Sequence, residues 1–329
     1  MHAFIISKHM PPVLYPIPRQ FDVSIWTTLQ APVVPPAPIP VLSIGNLKGG
    51  VGKTTIVANL ASALVQSGVR ILAIDLDFQA SLSVALPPAI VPRFEDEDGA
   101  AAILRGAAYD MFHDRRFTGC GIGRYDGLSL VRTSLELADV EDRLFAKFIL
   151  RNDEDDLRFA LARQLSNPRL KNDFDLVMID TPPRLTMASI NALCASSHVL
   201  IPTALTAMSQ SGAVTFGEYL ATFRASLCPN LKTLAILPTL THGALNPSEL
   251  KALGEIAKRL PGVAIWEDCF IPRRQAIADN EVHKHPESRE KFLHLARRLI
   301  QALGLSKDGA PEGRGANRSS QSGGASYSQ

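Results

Sequence analysis

The sequence predicts an α/β fold: a doubly wound, mostly parallel sheet with helices on both faces, in a single large domain. Three observations predict it. Short apolar runs alternate with amphipathic stretches from about residue 41 onward, the sequence form of parallel strands joined by crossover helices. Several of those runs are apolar on both faces, as strands buried from both sides must be. The first of them passes through a glycine-rich turn directly into a helix.

Taken in order, strands are expected at 41–45, 70–75, 128–132, 174–180, 198–202, 234–238 and 263–266. Helices are expected at 53–66, 136–149, 155–165, 186–195, 211–227, 247–260 and 287–303. The acidic cluster at 95–98 and several glycines interrupt any period over 87–127, which reads as a surface loop with a short helix. The acidic run at 153–156 reads as a helix start, where carboxylates favour the positive end of the dipole. Residues 1–40 hold nine of the 23 prolines, a density that excludes regular helix and reads as an N-terminal extension, with 21–29 its ordered-looking part. A flexible arm and a docking segment both fit that extension. The domain proper spans 41–305. Residues 306–329 become Gly- and Ser-rich with almost no large apolar side chains, and read as a disordered tail.

The composition of 46% apolar and 20% charged residues is that of an ordinary globular protein. With 34 basic and 32 acidic side chains the net charge is only +2, so binding to a polyanion requires a local patch. Cys120, Cys194, Cys228 and Cys269 lack the CxxC spacing of a zinc, redox or iron-sulfur site, and read as reduced thiols. No apolar run approaches the ~20 residues that span a bilayer, and the first ten residues lack the form of a secretory signal. A cytoplasmic location without membrane contact is expected.

The run Lys48-Gly49-Gly50-Val51-Gly52-Lys53-Thr54-Thr55 lies between a strand and a helix, the context of a phosphate-binding loop, so the fold is expected to be that of a P-loop NTPase. Glycines without a Cβ let backbone N–H groups approach phosphate oxygens, and the helix N-terminus adds partial positive charge. Lys53 is placed to neutralise the β- and γ-phosphates, and the Thr54 hydroxyl to ligate magnesium. Two apolar runs end in acids: 71–75 in Asp75, followed by Asp77, and 176–180 in Asp180. Acids there project at the C-terminal ends of strands, where open α/β sheets bind ligands. Asp180 fits the role of holding magnesium through water. Leu47 stands where the ordinary motif has its first glycine, and Lys48 follows as a second lysine.

At these residues the chain resembles the ParA/MinD family of deviant Walker ATPases, closest to the chromosome- and plasmid-partition branch. The extra Lys48 in KGGVGKTT carries the resemblance, with Asp75-Leu76-Asp77-Phe78-Gln79, Ile179-Asp180-Thr181-Pro182-Pro183 and Val199-Leu200-Ile201-Pro202 extending it. It implies ATP and Mg2+ as ligands and an ATP-sandwiched homodimer, in which Lys48 reaches the partner's phosphates. Asp77 then orients the attacking water, Thr54, Asp75 and Asp180 form the metal shell, and the 181–183 loop senses the γ-phosphate. Residues 49–55 hold the phosphates, and Thr239 and Pro272 are the expected adenine contacts. Phe78 replaces the family's usual proline.

Within the family, the cysteines do not suit an iron-sulfur branch, the polar tail does not suit a membrane-positioning branch, and Tyr327 alone does not make a tyrosine cluster. DNA partition remains, with nonspecific DNA and a ParB-like stimulating protein as expected partners. Seven basic residues fall between 273 and 298, of which Arg273, Arg274, Lys291 and Arg298 are the DNA candidates; interleaved acids leave a local excess of +3, and a solvated face fits them as well. The prolines before residue 41 argue against a helix-turn-helix. A positioning ATPase for a protein cargo or the cell pole, and a metabolic ATP-dependent ligase of the same fold, are the alternatives. The absence of an [NT]KxD string argues against a Ras-like GTPase.

Overall fold

Runs that are apolar at every position need cover on both faces, and the chain supplies it from helices on either side of one sheet. The computed structural model describes residues 23–86, 99–105, 127–150, 156–278 and 282–305. The acidic cluster at 95–98, Cys120, the tail 306–329 and the first 22 residues lie outside the described residues.

In chain order the elements are α1 (Val23–Thr27), β1 (Val41–Ile44), α2 (Lys53–Gln66), β2 (Ile71–Asp75), α3 (Ser81–Ala85), α4 (Ala100–Leu104), β3 (Leu128–Val131) and α5 (Glu136–Leu150). A short turn of tighter helix at Leu157–Phe159 leads into α6 (Ala160–Leu165), α7 (Leu170–Asp173), β4 (Leu176–Asp180) and α8 (Met187–Ala195). The chain continues through β5 (His198–Ala204), α9 (Ala207–Ser226), β6 (Lys232–Thr241), α10 (Pro247–Arg259), β7 (Ile271–Pro272), α11 (Gln275–Ala278) and α12 (Pro286–Leu303).

Among the described residues, seven strands form one all-parallel sheet in the order β3-β2-β4-β1-β5-β6-β7. Because β4 lies between β1 and β2, the C-terminal ends of three strands come level: Asp75 and Ile44 are both register partners of Asp180. Strand residues alternate between two core layers. Leu72, Ile74, Val177 and Ile179 face one layer with α5, α8 and α9, whereas Ile71, Ala73, Leu176 and Met178 face the other with α2 and α12. This is the doubly wound α/β domain that the sequence predicts. No helix among the described residues is long and apolar enough to cross a membrane.

The helix boundaries follow local chemistry. Thr186 and Ser189 form a capping box at α8, Asn246 and Glu249 form another at α10 behind Pro247, and Gly304 in the left-handed conformation ends α12. Helix α9 starts four residues before the expected 211 because Thr206 caps it through the Ser209 N–H. The expected strand at 263–266 is a correction. Only Ile265 bridges to Ile236, after which the chain turns at Glu267–Cys269, and the edge strand is Ile271–Pro272 instead. Pro261-Gly262 before the run and that turn after it leave no length for a ladder.

The proline-free window within the N-terminal stretch becomes α1. Its Trp26 is 1% exposed and packs on Phe145 and Phe148, with ring centroids 5.4 and 5.5 Å away. Arg158, fully buried and paired to Asp156 at 2.5 Å, donates to the carbonyls of Trp26, Leu29 and Gln30. The carbonyls at the end of α1, which a helix alone leaves unsatisfied, thereby gain a charged donor.

Candidate functional site

Between the end of β1 and the start of α2, residues 45–52 make the turn. Gly50 and Gly52 have φ of 72° and 88°, a region that a Cβ would strain. Gly52 caps α2 without any side-chain hydrogen bond, so the first N–H groups of a 14-residue helix are left for a ligand. Gly49, Gly50, Gly52, Lys53, Thr54 and Thr55 line a cleft of about 390 Å3, whose other walls include Asp77, Pro183, Ile277 and Ala278. Val51 is buried behind the loop, and Leu47 packs against the core layer beneath it.

Titratable groups cluster beneath this cleft. Thr54 Oγ1 donates to Asp180 Oδ2 at 2.6 Å, while Asp180 Oδ1 is buried without a partner. Burial pushes the Asp180 carboxyl up to about 8, reinforced by the neighbouring Asp75 and opposed by Thr54 and Lys53. Asp75 rises to about 6 through burial, opposed by Ser83, whose N–H and hydroxyl both donate to Asp75 Oδ2, at 2.8 and 2.7 Å. Burial lowers the Lys53 ammonium, and Asp180 and Asp77 oppose the change. A hydroxyl, an orphaned buried carboxylate oxygen and a second buried carboxylate are hard oxygen donors, which fit Mg2+. The uncapped helix end and Lys53 fit the phosphates of a nucleotide.

The structure brings most of the expected residues together. Asp77 is half-buried at the cleft wall, its Oδ1 accepting from Gln79 N at 3.1 Å. Lys48 is half-buried, and its carbonyl accepts from Lys53 Nζ at 3.2 Å. Thr181 Oγ1 donates to Ile44 O at 2.8 Å, which ties the loop after β4 to the end of β1. Phe78 faces the Arg184 guanidinium, 5.1 Å from its ring centre, so the position of the usual proline is held by a contact instead.

Thr239 and Pro272 stand apart from the cleft walls. Thr239 donates to the Val51 carbonyl at 2.9 Å from behind the loop, and Pro272 is buried in β7. Ile277 and Ala278 of α11 line the cleft. The basic candidates are dispersed in their contacts: Arg273 is exposed, Arg274 pairs with Glu287 at 2.5 Å, Lys291 sits over Phe270 at 3.7 Å and Arg298 over Trp266 at 5.7 Å.

Ser83 and Asn46 were also missed by the sequence reading. Ser83 lies in a five-residue helix with no pattern to single it out. Asn46 did carry a signal, a polar residue two positions after an apolar strand and before the loop.

A glycine loop between the first strand and helix of a parallel sheet, with an acid ending the adjacent strand beside its hydroxyl, defines the P-loop NTPase class. The sequence model of an AAA domain family matches residues 39–233. The chain belongs to the ParA/MinD family of P-loop ATPases. It is 30% identical to the chromosome-partitioning ATPase Soj of Thermus thermophilus over 72% of this chain and 83% of that protein. Among solved structures it resembles cobyrinic acid a,c-diamide synthase from Mycobacterium smegmatis with bound ADP and magnesium, at 27% identity and a TM-score of 0.59 over 80% of this chain and 94% of that one. It shares the fold of the septum site-determining protein MinD of Pyrococcus horikoshii complexed with Mg-ADP, at 20% identity and a TM-score of 0.59 over 82% and 99% of the two chains.

Proposed function

We propose that this chain is a partition ATPase: it binds ATP with Mg2+, closes as an ATP-sandwiched homodimer, binds DNA without sequence preference, and hydrolyses ATP when a ParB-like partner stimulates it. The observation that carries its ATP- and metal-binding core is the half-buried Thr54 clustered with buried Asp180, Asp75 and Lys53 at the foot of an uncapped helix. Lys53 and the loop N–H groups bind the phosphates, and Thr54, Asp75 and Asp180 hold the metal. The Mg2+ ion, when bound, neutralises phosphate charge. Asp77 orients the attacking water, and Lys48 supplies charge to the partner's phosphates as an arginine finger does. The partition role is supported by the likeness to Soj and by the basic residues at 273–298. Plasmid or chromosome movement follows from ATP-dependent attachment to the nucleoid and release in the cytoplasm.

The test is DNA retention with ATP and with ADP, from about 50 to about 200 mM salt. ATP-dependent, salt-sensitive and sequence-independent retention is expected. Equal retention with both nucleotides, or none, removes the partition reading. A metabolic ATP-dependent ligase is the second reading, favoured by the 27% identity to the diamide synthase. Turnover stimulated by a small metabolite and indifferent to DNA selects it.

A further inference from the structure

Alanine is a better helix former than glycine, so a glycine inside a long helix needs a local reason. Helix α9 runs 20 residues and contains two, Gly212 and Gly217. The reason for Gly217 is core packing, since a Cβ there would lie 2.6 Å from Leu260. Gly212 faces something else. Its Cβ would lie 3.3 Å from Lys48 Cβ, 3.4 Å from Asn46 Oδ1 and 3.9 Å from Lys48 N. Helix α9 therefore touches the phosphate loop at its second lysine.

Lys48 is gripped from the other side as well. Its N–H donates to Asn46 Oδ1 at 2.9 Å, and its carbonyl accepts from Lys53 Nζ at 3.2 Å. Asn46 is 2% exposed, and its Nδ2 donates to the Pro202 carbonyl in β5 at 2.8 Å, so the acceptor is itself fixed to the sheet. Both main-chain groups of Lys48 are thus held, and the Cβ from which its side chain departs lies so close to α9 that a methyl group at position 212 would press on it and shift it slightly. A long, flexible side chain that must reach a phosphate beyond its own subunit gains from a fixed origin, because each loose torsion at its base multiplies the misplacement at its tip.

We propose that Asn46 and Gly212 form the seat that aims Lys48, acting as positioning residues for its action on the partner's nucleotide. The proposal rests on the partition-ATPase reading above, in which Lys48 acts across the dimer.

The test compares the full chain with Gly212→Ala, Asn46→Ala, Lys48→Ala and the double variant Gly212→Ala/Lys48→Ala. The readouts are affinity for a fluorescent ATP analogue, ATP-dependent dimerisation, turnover and melting temperature. Gly212→Ala is expected to bind the analogue within about twofold of the native chain, and to melt no lower because alanine favours the helix. Its turnover is expected to fall about tenfold to a hundredfold, the effect of a misplaced catalytic group. The double variant is expected to be no slower than Lys48→Ala alone, the non-additivity of residues acting through one side chain. Asn46→Ala is expected to lose turnover over the same range while still binding the analogue. Native turnover in Gly212→Ala, or losses that multiply with that of Lys48→Ala, overturns the seat and leaves the reading of Lys48 intact. Native turnover in Lys48→Ala overturns that reading and the seat together.

Discussion

At the scale of single residues the site is governed by burial. Asp75 at about 6 and Asp180 at about 8 stand above the ordinary aspartate value of about 3.9, so the nucleotide-free folded chain holds their protons more tightly than the unfolded chain does. Their contribution to stability is therefore full below about pH 4 and is lost as pH rises through about 6 and then about 8. Asp180→Asn carries no such proton, so its melting temperature in the absence of nucleotide is expected to fall less steeply between those two values than that of the native chain. Parallel slopes in a thermal melt series would contradict this. The same variant is expected to lose Mg2+-dependent turnover, because a neutral amide withdraws the carboxylate's negative charge from the metal shell. Asp77 is placed differently, half-buried at the cleft wall with one oxygen on the Gln79 N–H. Asp77→Ala is expected to keep ATP binding and dimerisation and to slow turnover by roughly 10²–10⁴-fold, measured by phosphate release.

At the scale of elements, what matters is how helices reach the sheet. Helix α9 approaches α10 where Gly217 meets Leu260, and Gly217→Ala is expected to destabilise the fold by about 1–3 kcal/mol through overpacking, read by urea denaturation. The last helix turns one apolar stripe to the sheet: Phe292, Leu295 and Leu299 are buried in the layer beside α2, and Leu303 packs against it. The edge of the sheet was harder to read. A run such as Val263-Ala264-Ile265-Trp266 has strand-forming residues, yet a parallel edge strand also needs a register that its flanking turns permit. Here Ile236 is shared between Ala264 and Trp266 in a single bridge. The ladder resumes only at Ile271, opposite Thr239, and its register then shifts between Thr239 and Thr241, where Leu240 takes a positive φ.

For the whole molecule, the N-terminal segment is the element whose role depends most on distant sequence. Trp26 fills a pocket made by Phe145 and Phe148 on α5, and Arg158 closes it by binding three carbonyls of the segment. Trp26→Ala is expected to cost roughly 3–5 kcal/mol, the scale for removing a buried large aromatic side chain. An unchanged urea midpoint would mean that the segment does not stay docked in solution.

The phosphate loop, the acids at 75 and 180 and the alternation of strand and helix were determined by the sequence itself, because each depends on residues adjacent in the chain. Glycines must be neighbours to make the turn, and an apolar run must be continuous to be a buried strand. The level alignment of Asp75 with Asp180, the cleft walls contributed by Ile277 and Ala278, and the docking of Trp26 were decided only by the tertiary structure. So was the contact of Gly212 with Lys48, which lie 164 residues apart. Strand order and helix approach bring such residues together, and no spacing along the chain records either.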